Sequence, residues 1–107
     1  MLLEERTILT TAIRQWGPEK QTMKAAEELC ELAAALMHLR CLMGTGAADE
    51  EIHAAWDHVV EEIADAGIML DQMRMLYDET DENRIRAGKL RRLAARLGLI
   101  EEAKPEA

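Results

Sequence analysis

Two stretches constrain this chain more than any others. Glu27-Glu28-Leu29-Cys30-Glu31 and Glu62-Ile63-Ala64-Asp65 each set carboxylates three residues apart inside segments that otherwise read as buried helix. Residues at i and i+3 share a helix face, so each pair presents its charges together. Packed face to face, the two segments bring Glu28, Glu31, Glu62 and Asp65 into one cluster. Unit charges about 4 Å apart repel by roughly 4 kcal/mol at an effective dielectric of 20. Several such pairs would consume much of a typical stability of roughly 5–15 kcal/mol. A hard divalent cation relieves the repulsion. Mg²⁺ or Mn²⁺ suits carboxylate ligands and leaves positions for phosphate oxygens. For any single glutamate, a solvated acidic face is the alternative. A ferritin-like di-iron centre fits poorly, because it uses Glu-x-x-His. Here Glu31 is followed by Ala34, and Glu62 by Asp65.

The segments around these acids are helical. The chain has 107 residues, 49% hydrophobic and 32% charged, with 3% aromatic and no Phe. Ala, Leu, Ile and Met therefore build the interior, which is the composition of packed helices. The expected fold is all-α, a single domain of four helices over residues 1–100. The first helix runs from about Leu3 to Gln15 and stops at Gly17. Pro18 opens the second, which continues to about Leu42. "GTGAAD" is a loop, with Asp49 as cap of a third helix reaching about Tyr77. "DETDENR" breaks the pattern, with Thr80 or Asp81 capping a fourth helix from about Glu82 to Leu97. Gly98 suits its C′ position. "EEAKPEA", residues 101–107, offers no apolar face and is expected to be a disordered tail.

On a helical wheel, Lys20, Lys24, Glu27, Glu28, Glu31 and His38 fall on about one third of the second helix, at 100° per residue. Most of the remainder is apolar, which predicts a helix covered on most sides with its charged stripe at a cleft. In the third helix Ile52, Ala55, Trp56, Val59, Ile63, Ala66, Leu70 and Tyr77 make the expected core face. His58, Glu62 and Asp65 flank it. Helices of about 25 and 29 residues would be roughly 37 and 43 Å long, too long for a compact monomer with a radius of gyration near 13 Å. An interlocked homodimer or dimer of dimers resolves the mismatch.

The formal net charge is −8, which disfavours nucleic acid and anionic membranes as partners. No apolar run approaches the roughly 20 residues of a membrane span. "MLLEERTILTT" does not read as a secretory leader. Cys30 and Cys41 are expected to be buried free thiols, too far apart on one helix to pair. The expected location is cytoplasmic.

At this point the residues resemble a family. "WGPEKQTMKAAEELCEL" followed by "EEIADAGIMLDQM" is similar to the MazG-like all-α nucleoside triphosphate pyrophosphohydrolases, whose pattern is E-E-x-x-E, a spacer, then E-x-x-D. The spacer between Glu31 and Glu62 is somewhat long for that family. The resemblance implies metal-dependent hydrolysis of a (deoxy)nucleoside triphosphate between the α and β phosphates, with Glu28, Glu31, Glu62 and Asp65 as Mg²⁺ ligands. Glu27 or a ligand carboxylate would accept the proton of the attacking water. Lys24, one turn before Glu28, can reach a phosphate as a point charge. Gln21 is a weaker polar contact. Trp16 would stack on a base or pack in the core or at an interface. The basic run Arg84, Arg86, Lys89, Arg91, Arg92 and Arg96 is a solvated face or lies in part over a triphosphate, which makes Lys89 a substrate-binding candidate. His38 and His58 read as surface residues or neighbours of the ligands. The competing readings are a phosphoribosyl-ATP pyrophosphohydrolase and a non-catalytic helical interaction module.

Overall fold

The structure, a computed structural model, describes residues 1–101. Four helices follow one another, and no strand occurs among the described residues: α1 (Leu3–Trp16), α2 (Pro18–Gly44), α3 (Asp49–Leu76) and α4 (Glu79–Arg96). The chain is all-helical, as its periodicity predicts. The segment expected to be a disordered tail lies, apart from Glu101, outside the described residues.

Local chemistry sets the boundaries. Glu5 accepts a hydrogen bond from the Leu2 N–H at 3.1 Å and ties down the start of α1. Gly17 ends that helix at φ +91°, a conformation L side chains rarely adopt, and its N–H bonds back to the Ile13 carbonyl. Pro18 follows as the first residue of α2, where its missing N–H costs nothing. Asp49 is not the cap of α3 but its first residue. The Ala48 carbonyl accepts the first bond, from Ile52, and Asp49 instead adds charge to an acidic first turn. The fourth helix begins a turn earlier than expected. Asp78, rather than Thr80 or Asp81, is its cap and accepts the Asp81 N–H at 2.9 Å. A strong cap and three acids in the first turn make helix from a stretch that shows no apolar period. Gly98 sits at C′ with φ +75°, and the bonds Gly98 N–H to Ala95 and Leu99 N–H to Ala94 form a Schellman ending.

Two compact units result, Met1–Leu76 and a second beginning at Tyr77 that holds α4. In the first, α2 and α3 form an antiparallel hairpin and α1 packs against both, burying Leu9. The hairpin seam has coiled-coil spacing, alternating four and three residues. On α2 it runs through Gln21, Ala25, Glu28, Leu32, Ala35, Leu39 and Leu42. On α3 it runs through Ile52, Ala55, Val59, Glu62, Ala66 and Met69. Ala35, Leu39, Ala55 and Val59 make a continuous core, closed by Leu42 and Ile52.

This seam overturns part of the expected core. Trp56 is 57% exposed, and Ile63, Leu70 and Tyr77 are also exposed. The third helix is rotated so that Glu62 points into the seam rather than flanking it. Small residues explain the choice: Ala25, Ala35, Ala55 and Ala66 let the two backbones approach, and Trp56 would hold them apart. Within this unit α2 is not covered on most sides either, since Met23, Leu36 and Met37 stay exposed. Cys30 and Cys41, expected to be buried, are both exposed free thiols.

Candidate metal centre and adjoining cavity

Glu28 and Glu62 occupy seam positions where a helical hairpin ordinarily places leucine. They are 8% and 7% exposed. With Asp65, one turn beyond Glu62, they offer three carboxylate oxygens that all lie within 4.8 Å of one another. The Oε2 atoms of Glu28 and Glu62 are buried with no hydrogen-bond partner. A buried, unpaired carboxylate oxygen is costly and rare. Asp65 is exposed, so the cluster opens to solvent on its side. An all-oxygen set, buried at one end and open at the other, fits a hard divalent cation that keeps positions for other ligands. The fit follows from the residues themselves, two of which hold oxygens without any other partner.

Glu31 stands outside the group of three and is exposed. Its pKa is raised, first by the negative charge of Glu28, then by the hydrogen bond its protonated form donates to Glu28, with Glu62 adding a smaller repulsion. That response places it in the field of the cluster at the rim. Lys24 Nζ lies 3.2 Å from Glu28 Oε1 and 3.8 Å from Glu27 Oε2. The hydrogen bond to Glu28 and the charge of Glu28 hold the ammonium pKa above its usual value. Glu27 is exposed and pairs with Lys24. His58 approaches Glu62 Oε1 at 3.7 Å and Glu61 at 3.8 Å, so it neighbours the cluster without belonging to it.

Beside the carboxylates, toward the start of α2, lies an open cavity of about 530 Å³ lined by Trp16, Lys20, Met23, Lys24, Glu27, Ile68 and Met69. Its walls also include Gln21 and Gln72, both buried. The volume is in the range of small-molecule sites, roughly 300–1,000 Å³. Lys24 belongs both to this wall and to the ion pair with Glu28, so cavity and cluster are contiguous. Gln72 is the residue that sequence reasoning missed. Its only signal is an amide on an apolar face of α3, two turns beyond Asp65. Lys89 belongs to the second unit, where it lines a depression with Arg92, Leu93 and Arg96.

No helix among the described residues is long and apolar enough to cross a membrane. No family model matches the chain, and no curated protein or solved structure matches it.

Proposed function

We propose that the chain is a metal-dependent nucleoside triphosphate pyrophosphohydrolase of the MazG-like kind, acting in the cytoplasm to clear non-standard or excess nucleotides. The carrying observation is the convergence of Glu28, Glu62 and Asp65 within 4.8 Å, two of them with buried, unpartnered oxygens. Such a set is costly without a cation, and Mg²⁺ or Mn²⁺ is the class that carboxylates and polyphosphates share. When bound, the cation neutralises polyphosphate charge and acidifies water.

The residues of the chain do the rest. Glu28, Glu62 and Asp65 hold the ion, with Glu31 completing the set from the rim. Glu31 or the solvent-facing Glu27 would accept the proton of the attacking water. Lys24, paired with Glu28 at 3.2 Å, would offer its ammonium to a phosphate oxygen. Trp16 and Gln21 line the cavity that receives the nucleoside.

Self-assembly belongs to the same proposal. Half of the buried apolar residues among those described are alanines, and no large side chain is fully buried. Burial is worth only about 0.8 kcal/mol per CH₂, so this core is thin for a unit of its length. Trp56, Val60 and Ile63 meanwhile form an exposed stripe at i, i+4 and i+7 on α3. A homodimer or dimer of dimers covers it.

The deciding experiment incubates the protein with a panel of ribo- and deoxyribonucleoside triphosphates and phosphoribosyl-ATP, with Mg²⁺ and with Mn²⁺, and identifies the products. Monophosphate plus pyrophosphate is expected from at least one nucleotide. Diphosphate plus orthophosphate would mean cleavage of another bond. No turnover with either metal would favour a non-catalytic helical module.

A further inference from the structure

Gln72 is 3% exposed, and its Oε1 has no hydrogen-bond partner. The side chain lies in the α2–α3 hairpin, where an apolar residue would pack without penalty, yet it helps wall the cavity beside the carboxylates. Gln21, 5% exposed, lies on the facing helix and walls the same cavity. Two buried amides therefore converge on a space whose apolar lining is Trp16, Met23, Ile68 and Met69 and whose charged lining is Lys20, Lys24 and Glu27. A buried acceptor without a partner is a standing cost unless something supplies the donor.

We propose that Gln72, with Gln21, reads the edge of a nucleobase seated against Trp16 in this cavity. The inference rests on the nucleotide-hydrolase reading and adds to it the residues that choose the base. Its geometry follows from the antiparallel hairpin. Gln21 precedes Glu28 by seven residues, about 10 Å at 1.5 Å per residue, and Lys24 stands between them. A nucleotide laid along α2 has its base at the glutamines, its phosphates at Lys24 and its phosphoanhydride at Glu28, Glu62 and Asp65. A primary amide carries an acceptor and donors side by side, the arrangement that lets glutamine pair with a base edge. The unsatisfied atom is an acceptor, so the base presents an N–H to it, from an exocyclic amino group or a ring imide. Gln72 Oε1 is covered in the free protein. Rotation about the soft terminal torsion of the side chain turns it toward the ligand. The indole of Trp16 and the thioethers of Met23 and Met69 give the ring its apolar faces.

The test is calorimetric titration of the full chain, with Mg²⁺ present, by nucleoside monophosphates of the different bases and by ribose 5-phosphate. Wild type should separate its best from its worst base by about tenfold or more, the scale of one buried hydrogen bond gained or left unmade. Gln72→Leu should compress that ratio to about twofold while its affinity for ribose 5-phosphate stays unchanged. Gln72→Met, which preserves side-chain length, replaces the leucine variant if circular dichroism shows that one unfolded. Equal affinity of wild type for every base, or an unaltered base ratio in the folded variant, would overturn the assignment. Binding needs no turnover, so failure of the base readout and failure of hydrolysis are separate results.

Discussion

Lys24 Nζ sits 3.2 Å from Glu28 Oε1, while the second oxygen of the same carboxylate, Oε2, is buried with no partner. One side of Glu28 is answered by a half-exposed lysine on its own helix. Across the hairpin the same carboxylate meets Glu62 and Asp65, the three groups offering oxygens within 4.8 Å of one another. An ion pair whose lysine is half-exposed is screened by solvent and contributes little. It does not offset three convergent carboxylates.

Millimolar Mg²⁺ or Mn²⁺ should raise the melting temperature, because a ligand that binds only the folded state stabilises it by about 2.7 kcal/mol at a hundred times its Kd. Glu62→Leu should behave in the opposite way to a core lesion. In EDTA it should melt above wild type, since a leucine at this seam position removes one of three convergent carboxylates. It should also lose the metal response. Scanning calorimetry of both proteins with and without cation checks the pair of effects. A wild-type midpoint indifferent to both cations at low ionic strength would mark the cluster as a plain acidic surface.

Catalysis should fall by orders of magnitude in Glu62→Gln and Asp65→Asn, with helical content near wild type by circular dichroism. Lys24→Gln should cost less, about 10- to 100-fold in kcat/KM, the scale of one charge-assisted hydrogen bond to substrate. Steady-state kinetics with the best substrate of the panel distinguishes the two magnitudes.

Glu31 carries a pH prediction. Its pKa in the folded chain is raised by Glu28, so in the interval above its ordinary value near 4.5 the folded state binds more protons than the unfolded one. The contribution of Glu31 to metal-free stability therefore decreases as pH rises through that interval. Melting temperatures in EDTA from about pH 4 to pH 7 should fall more steeply for wild type than for Glu31→Gln. Parallel slopes for the two proteins would mean that Glu31 does not feel the cluster.

Gln72→Leu should stabilise the free protein. A buried amide whose oxygen lacks a partner carries a penalty of about 1–3 kcal/mol, and for a unit of this size about 1 kcal/mol moves the midpoint by roughly 4–8 °C. A variant that melts below wild type would show that the amide is satisfied in solution.

Sedimentation at micromolar concentration should give a species larger than the 12.1 kDa chain. Ile63→Asp, in the exposed stripe with Trp56 and Val60, should shift it toward monomer without loss of the α2–α3 hairpin. A wild-type chain that is folded and monomeric under these conditions would remove the case for assembly.

The sequence by itself determined the helices, most of their ends and the chemistry of the acid pairs. Gly17-Pro18, the Gly-rich loop after Gly44 and Gly98 act through φ, a missing N–H and bonds to residues a few positions away, so their effects are legible locally. The spacing of Glu28 with Glu31 and of Glu62 with Asp65 likewise follows from the helical repeat alone. Tertiary structure decided which way each helix turns. Both α2 and α3 are apolar around much of their circumference, and a wheel with two apolar sides does not point anywhere. Weighing side chains by hydrophobicity favoured Trp56 and Ile63 as core. Pairing favoured Ala55, Val59, Glu62 and Ala66, because alanines permit the close approach that the hairpin needs, and that approach depends on Ala25 and Ala35 in the other helix. The same rotation carried Glu62 into the seam beside Glu28, left Glu31 at the rim and set Gln72 against the cavity. Those placements arise from residues distant in the chain meeting face to face, which no local period records.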